Sequence, residues 1–112
     1  MTPLQAAEKL NFEIITPGGN DIRDIRGIHC GDLMSVVMSK AEAGQAWITV
    51  MGNVNAVAVA VLSDLSCVIF AEGAAVDDAA VTRAKQQGVC LLKTPLTVFE
   101  TALALHRLIS NP

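Results

Sequence analysis

The stretch Ala46-Trp47-Ile48-Thr49-Val50-Met51-Gly52-Asn53-Val54-Asn55 decides the fold, because it is a β-branched run that closes on Gly and Asn and leads into an Ala/Val segment. The run predicts a buried strand, and the Gly-Asn pair predicts a loop that delivers polar groups to the start of a helix. In open α/β sheets, ligands sit at this carboxyl end of a strand. In the segment that follows, Val57, Val59 and Val61 alternate with Ala58 and Ala60, which alone would favour a strand. Two features oppose that reading. Strands at 46–51 and 66–71 need a crossover if they run parallel, and Asn53 or Asn55 can cap an alanine-rich helix. A buried helix over about 54–63 is therefore expected.

The same alternation extends in both directions. Downstream, Ser66 to Ala71 predicts a strand. Asp77 then caps a helix with Ala80, Val81 and Ala84 on one face and Gly88 as its stop. Val89 to Leu92 is the closing strand, and Thr97 with Glu100 forms a capping box that opens a last helix ending near Ser110. Upstream, Thr2, Pro3 and Gln5 open a short helix to Leu10. Phe12 to Thr16 reads as a strand, Pro17 to Asp21 as a turn, and Ile25 to Cys30 as a strand whose charged start lies near an edge. Asp32 is the expected cap of a helix with a wide apolar stripe (Leu33, Met34, Val36, Val37, Met38, Ala41), ended by Gly44. The pattern predicts a three-layer α/β module, with a mainly parallel sheet of four to five strands flanked by helices.

Composition narrows the function classes. A chain of 112 residues with 52% hydrophobic content supports one core, so residues 1–112 are expected to form a single domain. A net charge of -3, only eight Lys and Arg, and no Tyr argue against nucleic acid as a partner. The longest apolar run, Ala56 to Leu62, is too short for a bilayer, and the N-terminus lacks a leader pattern, so a cytoplasmic protein without a membrane partner is expected. Cys30, Cys67 and Cys90 offer neither a disulfide framework nor a zinc spacing, and Cys67 and Cys90 stand in strand-like runs that suit buried thiols. No metal and no cofactor are expected.

Candidate chemistry is sparse. His29 and His106 have no local carboxylate or thiol partner, Asp77-Asp78 suits a helix N-terminus, and Ser35 and Ser39 lack a nucleophile-elbow context. A non-enzyme is expected. An unrecognised active site, if one exists, would lie around His29, Asp32 or Glu72. Three segments place polar or Gly residues just past a predicted strand: Gly52-Asn53-Val54-Asn55, Glu72-Gly73 and Lys93-Thr94-Pro95. On parallel strands all three share one rim, making Gly52, Asn53, Asn55, Glu72, Gly73 and Thr94 the candidate ligand-binding set. In the plain alternative, Asn53 and Asn55 cap a helix and Gly73 turns the chain.

From Gly31-Asp32-Leu33 through Thr94-Pro95 and into the last helix, the order of residues resembles the DRTGG domain family, best over Ala46 to Glu72 and Val76-Asp77 to Thr94-Pro95. That family includes HPr kinase/phosphorylase N-terminal-type domains, a module of some phosphotransacetylases, and short stand-alone proteins. The resemblance implies an α/β module with a regulatory or ligand-sensing role beside a catalytic domain, and a small-molecule ligand or a partner enzyme. The family's Asp-Arg pair is replaced here by Asn53-Val54, and its Thr-Gly-Gly by Ala71-Glu72-Gly73. Without that Arg, a ligand should be less anionic or held by backbone amides. A homodimer is also expected, because so many Val, Ala and Met residues exceed what one small core holds.

Overall fold

A computed structural model describes residues 1–111. Its elements follow the order α1 (Pro3–Leu10), β1 (Glu13–Pro17), β2 (Gly27–Cys30), α2 (Met34–Lys40), β3 (Gln45–Thr49), α3 (Val54–Leu62), β4 (Cys67–Phe70), α4 (Asp78–Gln87), β5 (Cys90–Lys93) and α5 (Val98–Ser110). One sheet with strand order β1-β5-β4-β3-β2 runs through the middle. From β2 to β5 every pairing is parallel, while β1 joins antiparallel to β5. Trp47, Val68 and Leu91 stand side by side in register on β3, β4 and β5.

Strand alternation divides the core into two halves. Ala46, Ile48, Cys67, Ile69, Cys90 and Leu92 point towards α1 and α5, where Ala6, Ala7 and Leu105 cover them. Trp47, Val68, Phe70 and Leu91 point the other way, against Val37 of α2, Val57 and Ala60 of α3, and Ala80 and Ala84 of α4. Buried on both faces, the central strands read as continuous apolar runs. The polar end of Trp47 is satisfied within this core, its Nε1 donating to the Gly31 carbonyl at 2.8 Å.

Local signals explain most helix ends. Both predicted capping boxes form: Thr2 with Gln5, and Thr97 with Glu100. Gly88 closes α4 in the left-handed region at φ 70°. The start of α3 is capped by Asn53, so helix wins over the alternating Val/Ala pattern. The edge position expected for the strand at 25–30 holds, with β2 at the sheet margin, though the strand begins only at Gly27 and the buried Ile25 precedes it.

Three expectations fail around α2, the first being its end, which falls at Lys40 with Ala41 as the cap and not at Gly44. Its N-cap is Leu33, without a side-chain bond, because the Asp32 carboxylate is drawn to β3 instead. The wide apolar stripe does not bury: only Val37 is fully enclosed, while Leu33, Val36 and Met38 are exposed. α2 lies over the sheet margin, where fewer strands are available to receive a second row of side chains. Asp77 occupies the N-cap position of α4 but makes no side-chain cap bond.

Candidate functional site

The parallel register brings the ends of β3, β4 and β5 to one rim. Neighbouring strands are about 4.8 Å apart, so the three loops leave the sheet within about 10 Å of one another. Gly52, Asn53, Glu72, Gly73 and Thr94 stand on these loops, while Asn55 lies in the first turn of α3.

Hydrogen bonds knit the loops after β4 and β5 together. The Glu72 amide donates to the Leu96 carbonyl at 2.7 Å, and the Gly73 amide to the Thr94 carbonyl at 3.1 Å. A side-chain tie adds to this, since the Val98 amide donates to Glu72 Oε2 at 3.3 Å. Glu72 adopts φ 60°, a left-handed conformation that costs a non-glycine residue roughly 1–2 kcal/mol. Gly73 follows at φ 65°, with open space where a Cβ would stand. The buried Thr94 braces the turn, its Oγ1 accepting from the Leu96 amide at 3.2 Å.

The loop after β3 is built differently. Asn53 Oδ1 accepts from the Asn55 and Ala56 amides at 3.0 and 3.3 Å, so two of the donors in the first turn of α3 are occupied by its own cap. Gly52 permits a close backbone approach, and the chain itself makes it. A Cβ on Gly52 would lie 2.0 Å from the Ala75 carbonyl oxygen, and the Asp77 amide donates to the Gly52 carbonyl at 2.8 Å.

One residue outside the expected set completes the rim. Asp32 Oδ1 accepts from Thr49 Oγ1 at 2.7 Å and from the Val50 amide at 3.0 Å, tying the segment after β2 to the end of β3. The Gly-Asp dipeptide read locally as a helix cap, and nothing in its near neighbourhood signals the Thr49 partner. His29 lies on β2 and Glu72 beyond β4, so β3 separates the two. Among the described residues no group of three His, Cys, Asp or Glu side chains is placed to hold a metal ion. Burial pushes the Cys90 thiol up to about 12 and raises Cys67 as well, with Cys90 nearby adding to the effect. The exposed Cys30 is also raised, first by partial burial and then by the Asp32 charge.

A concavity with polar lining lies elsewhere. Asp21, Arg23, Asp64 and Gln87 help to line a cleft of about 180 Å³ near Leu65 and Val89, at the amino ends of β4 and β5. Arg23 and Asp64, both in its lining, form an ion pair 2.6 Å apart.

Neither a family model nor a curated protein matches this chain. A solved structure does. The CBS and DRTGG domains of the regulatory region of Clostridium perfringens pyrophosphatase, complexed with the activator diadenosine tetraphosphate, match with a TM-score of 0.70 and 14% identity. The match covers 94% of this chain and 44% of that one. At this identity the likeness establishes a shared α/β fold. No described helix is long and apolar enough to cross a membrane.

Proposed function

We propose that this chain is a non-catalytic regulatory module, a short relative of the DRTGG domains, that senses a small molecule at the rim above β3, β4 and β5. The observation that carries the reading is the backbone of Glu72. A glutamate is held left-handed at the centre of three converging loops, next to a glycine with open space above it. Strain of this kind gathers where a protein binds or switches. Asn55 and Glu72 are exposed and offer amide and carboxylate groups, Thr94 fixes the loop beneath them, and Gly52 sets the spacing to the segment before α4.

Charge limits the ligand. Asp32, Glu72, Asp77 and Asp78 are exposed on the segments that follow β2 and β4, and the loop after β3 carries no Arg. The pyrophosphatase region binds a polyanion, whereas here an anion would meet carboxylates, and two of the α3 amides that could have received it, those of Asn55 and Ala56, are taken by Asn53. The ligand class is therefore an uncharged or cationic molecule rich in N–H donors, with a partner enzyme reading its occupancy.

The test is a titration of labelled protein with a panel of uncharged and cationic amides and amines, followed by amide chemical shifts. Diadenosine tetraphosphate serves as the anionic comparison. Shifts confined to residues 52–55, 72–73 and 94–98, and lost in Glu72→Ala, support the reading. Shifts centred on Arg23, Asp64 and Gln87 would move the site to the opposite end of the sheet and defeat it.

A further inference from the structure

The outer surface of α3 breaks the rule that a helix covering a sheet turns a polar face to water. Over its nine residues it carries no charge, and its one strongly polar side chain is Asn55. Val61 and Leu62 are exposed on it, the latter by 72%. α2 packs beside it in the same layer and leaves Leu33, Val36 and Met38 open, with Lys40 its only charge. A shallow apolar groove continues from Val57, Ala58, Val61 and Leu62 to the wall formed by Arg83 and Gln87 of α4.

We propose that this α2–α3 face is where a second copy of the chain docks, two copies pairing their helices about a two-fold axis. The area fits. From their fractional exposures, Leu33, Val36, Met38, Val61 and Leu62 leave on the order of 450 Å² of side-chain surface open. A stable pair buries about 800 Å² per copy, of which about two-thirds is apolar in homodimers, or roughly 500 Å². The chemistry fits too. Apart from Ser35, Ser39 and Lys40 of α2 and Arg83 at the groove wall, the face is aliphatic, like a core cut in half, and it carries none of the exposed Trp and Tyr anchors that dominate contacts between unlike partners. Each copy carries a net charge of -3, so copies repel except across a surface without like charges, and α3 supplies one. This inference does not rest on the rim reading.

Sedimentation velocity of the full chain from about 1 to 100 µM tests it, because a dimer's population follows mass action. The expected result is a dimer. Leu62→Lys and Met38→Lys, both at exposed positions, should each raise its dissociation constant about a hundredfold or more, since the axis presents every substitution twice. Phe99→Lys alters an equally exposed side chain on α5, in the opposite helical layer, and should leave the dimer intact. Far-UV dichroism confirms that each variant folds. A wild-type chain that stays monomeric over the whole range overturns the proposal, as does a dimer that survives both lysines or is broken by the α5 control. Association with a different protein in place of self-association also overturns it.

Discussion

Gly52→Ala separates a glycine kept for ligand access from one kept for the chain's own packing. Gly52 does not lie in the left-handed region, so an alanine meets no backbone penalty there; the obstacle is wholly steric. The added methyl would stand 2.0 Å from the Ala75 carbonyl oxygen and 3.0 Å from Val76 Cα, both main-chain atoms that cannot rotate aside. Overpacking typically costs about 1–3 kcal/mol, and a rigid neighbour puts this site at the upper end. Displacing residues 75–77 also breaks the bond from the Asp77 amide to the Gly52 carbonyl, about 1 kcal/mol more. The lower entropy of the unfolded alanine chain returns roughly 0.5–1 kcal/mol, leaving a net loss of about 3 kcal/mol. At about 2.1 cal/mol/K per residue, 112 residues give an unfolding entropy near 0.24 kcal/mol/K, and Tm should fall by roughly 13 °C. Calorimetry of wild type and variant without any ligand reads this directly. A variant melting within about 2 °C of wild type would refute the reasoning, because the segment before α4 would then have slack.

Gly73→Ala provides the contrast: with no neighbour within 4 Å, only the φ of 65° resists, and a loss of about 1 kcal/mol in urea unfolding is expected. Asp32→Ala removes the acceptor of Thr49 Oγ1 and the Val50 amide and should cost about 1 kcal/mol, while Asp32→Asn, which keeps an oxygen, should unfold within about half of that of wild type. Native protein should take up one equivalent of iodoacetamide, at Cys30, with Cys67 and Cys90 reacting only after denaturation, as a mass spectrum of the intact chain will show. Burial raises both thiols in the folded state; for Cys90 the contribution is complete below the unfolded value of about 8.5 and is lost as pH rises towards about 12, so alkaline unfolding should be delayed in Cys90→Ala relative to its neutral-pH stability. Glu100 is shifted in the opposite sense. The Thr97 amide, then its hydroxyl, holds the carboxylate below its usual range, so α5 gains stability above about pH 4.3 and loses it as acid protonates the group, a slope that Glu100→Gln should flatten in melts from pH 6 to 3.

The sheet was legible because its signals are local and repeated. Trp47, Val68 and Leu91 each sit inside an apolar run bounded by turn residues, and the helices around them announce themselves through Asn53, Gly88 and the Thr97–Glu100 pair. Local rules failed where a distant group competed. Asp32 has the right offset to cap α2, yet Thr49 lies 17 residues away in sequence, and a buried hydroxyl at the end of a strand is the stronger claimant for its carboxylate. Gly52 signals a close approach, but which backbone comes close depends on how residues 75–77 return over the sheet. Burial of α2 was overestimated for a related reason. An apolar stripe shows what a helix can bury, while the width of sheet beneath it decides what it does bury.

The rim depends on what Asn53 does with the start of α3. A free helix N-terminus attracts anions through its unpaired amides, and an Arg beside it would add a forked donor. Here the Asn53 side chain already accepts from two of those amides, and Val54 stands where the resemblance would place an Arg. Anion binding is thus lost twice, once in the donors and once in the charge. What remains is Glu72, fixed by Leu96 and Val98 in a conformation that glycine would adopt at no cost. If the loop tie were its whole purpose, Glu72→Gly would exchange the Val98 bond, about 1 kcal/mol, for relief of about the same strain and leave stability nearly unchanged. A glutamate that is neutral for folding and decisive for binding is the signature that the rim reading requires. Paired unfolding and titration of that single variant would expose a role in folding alone.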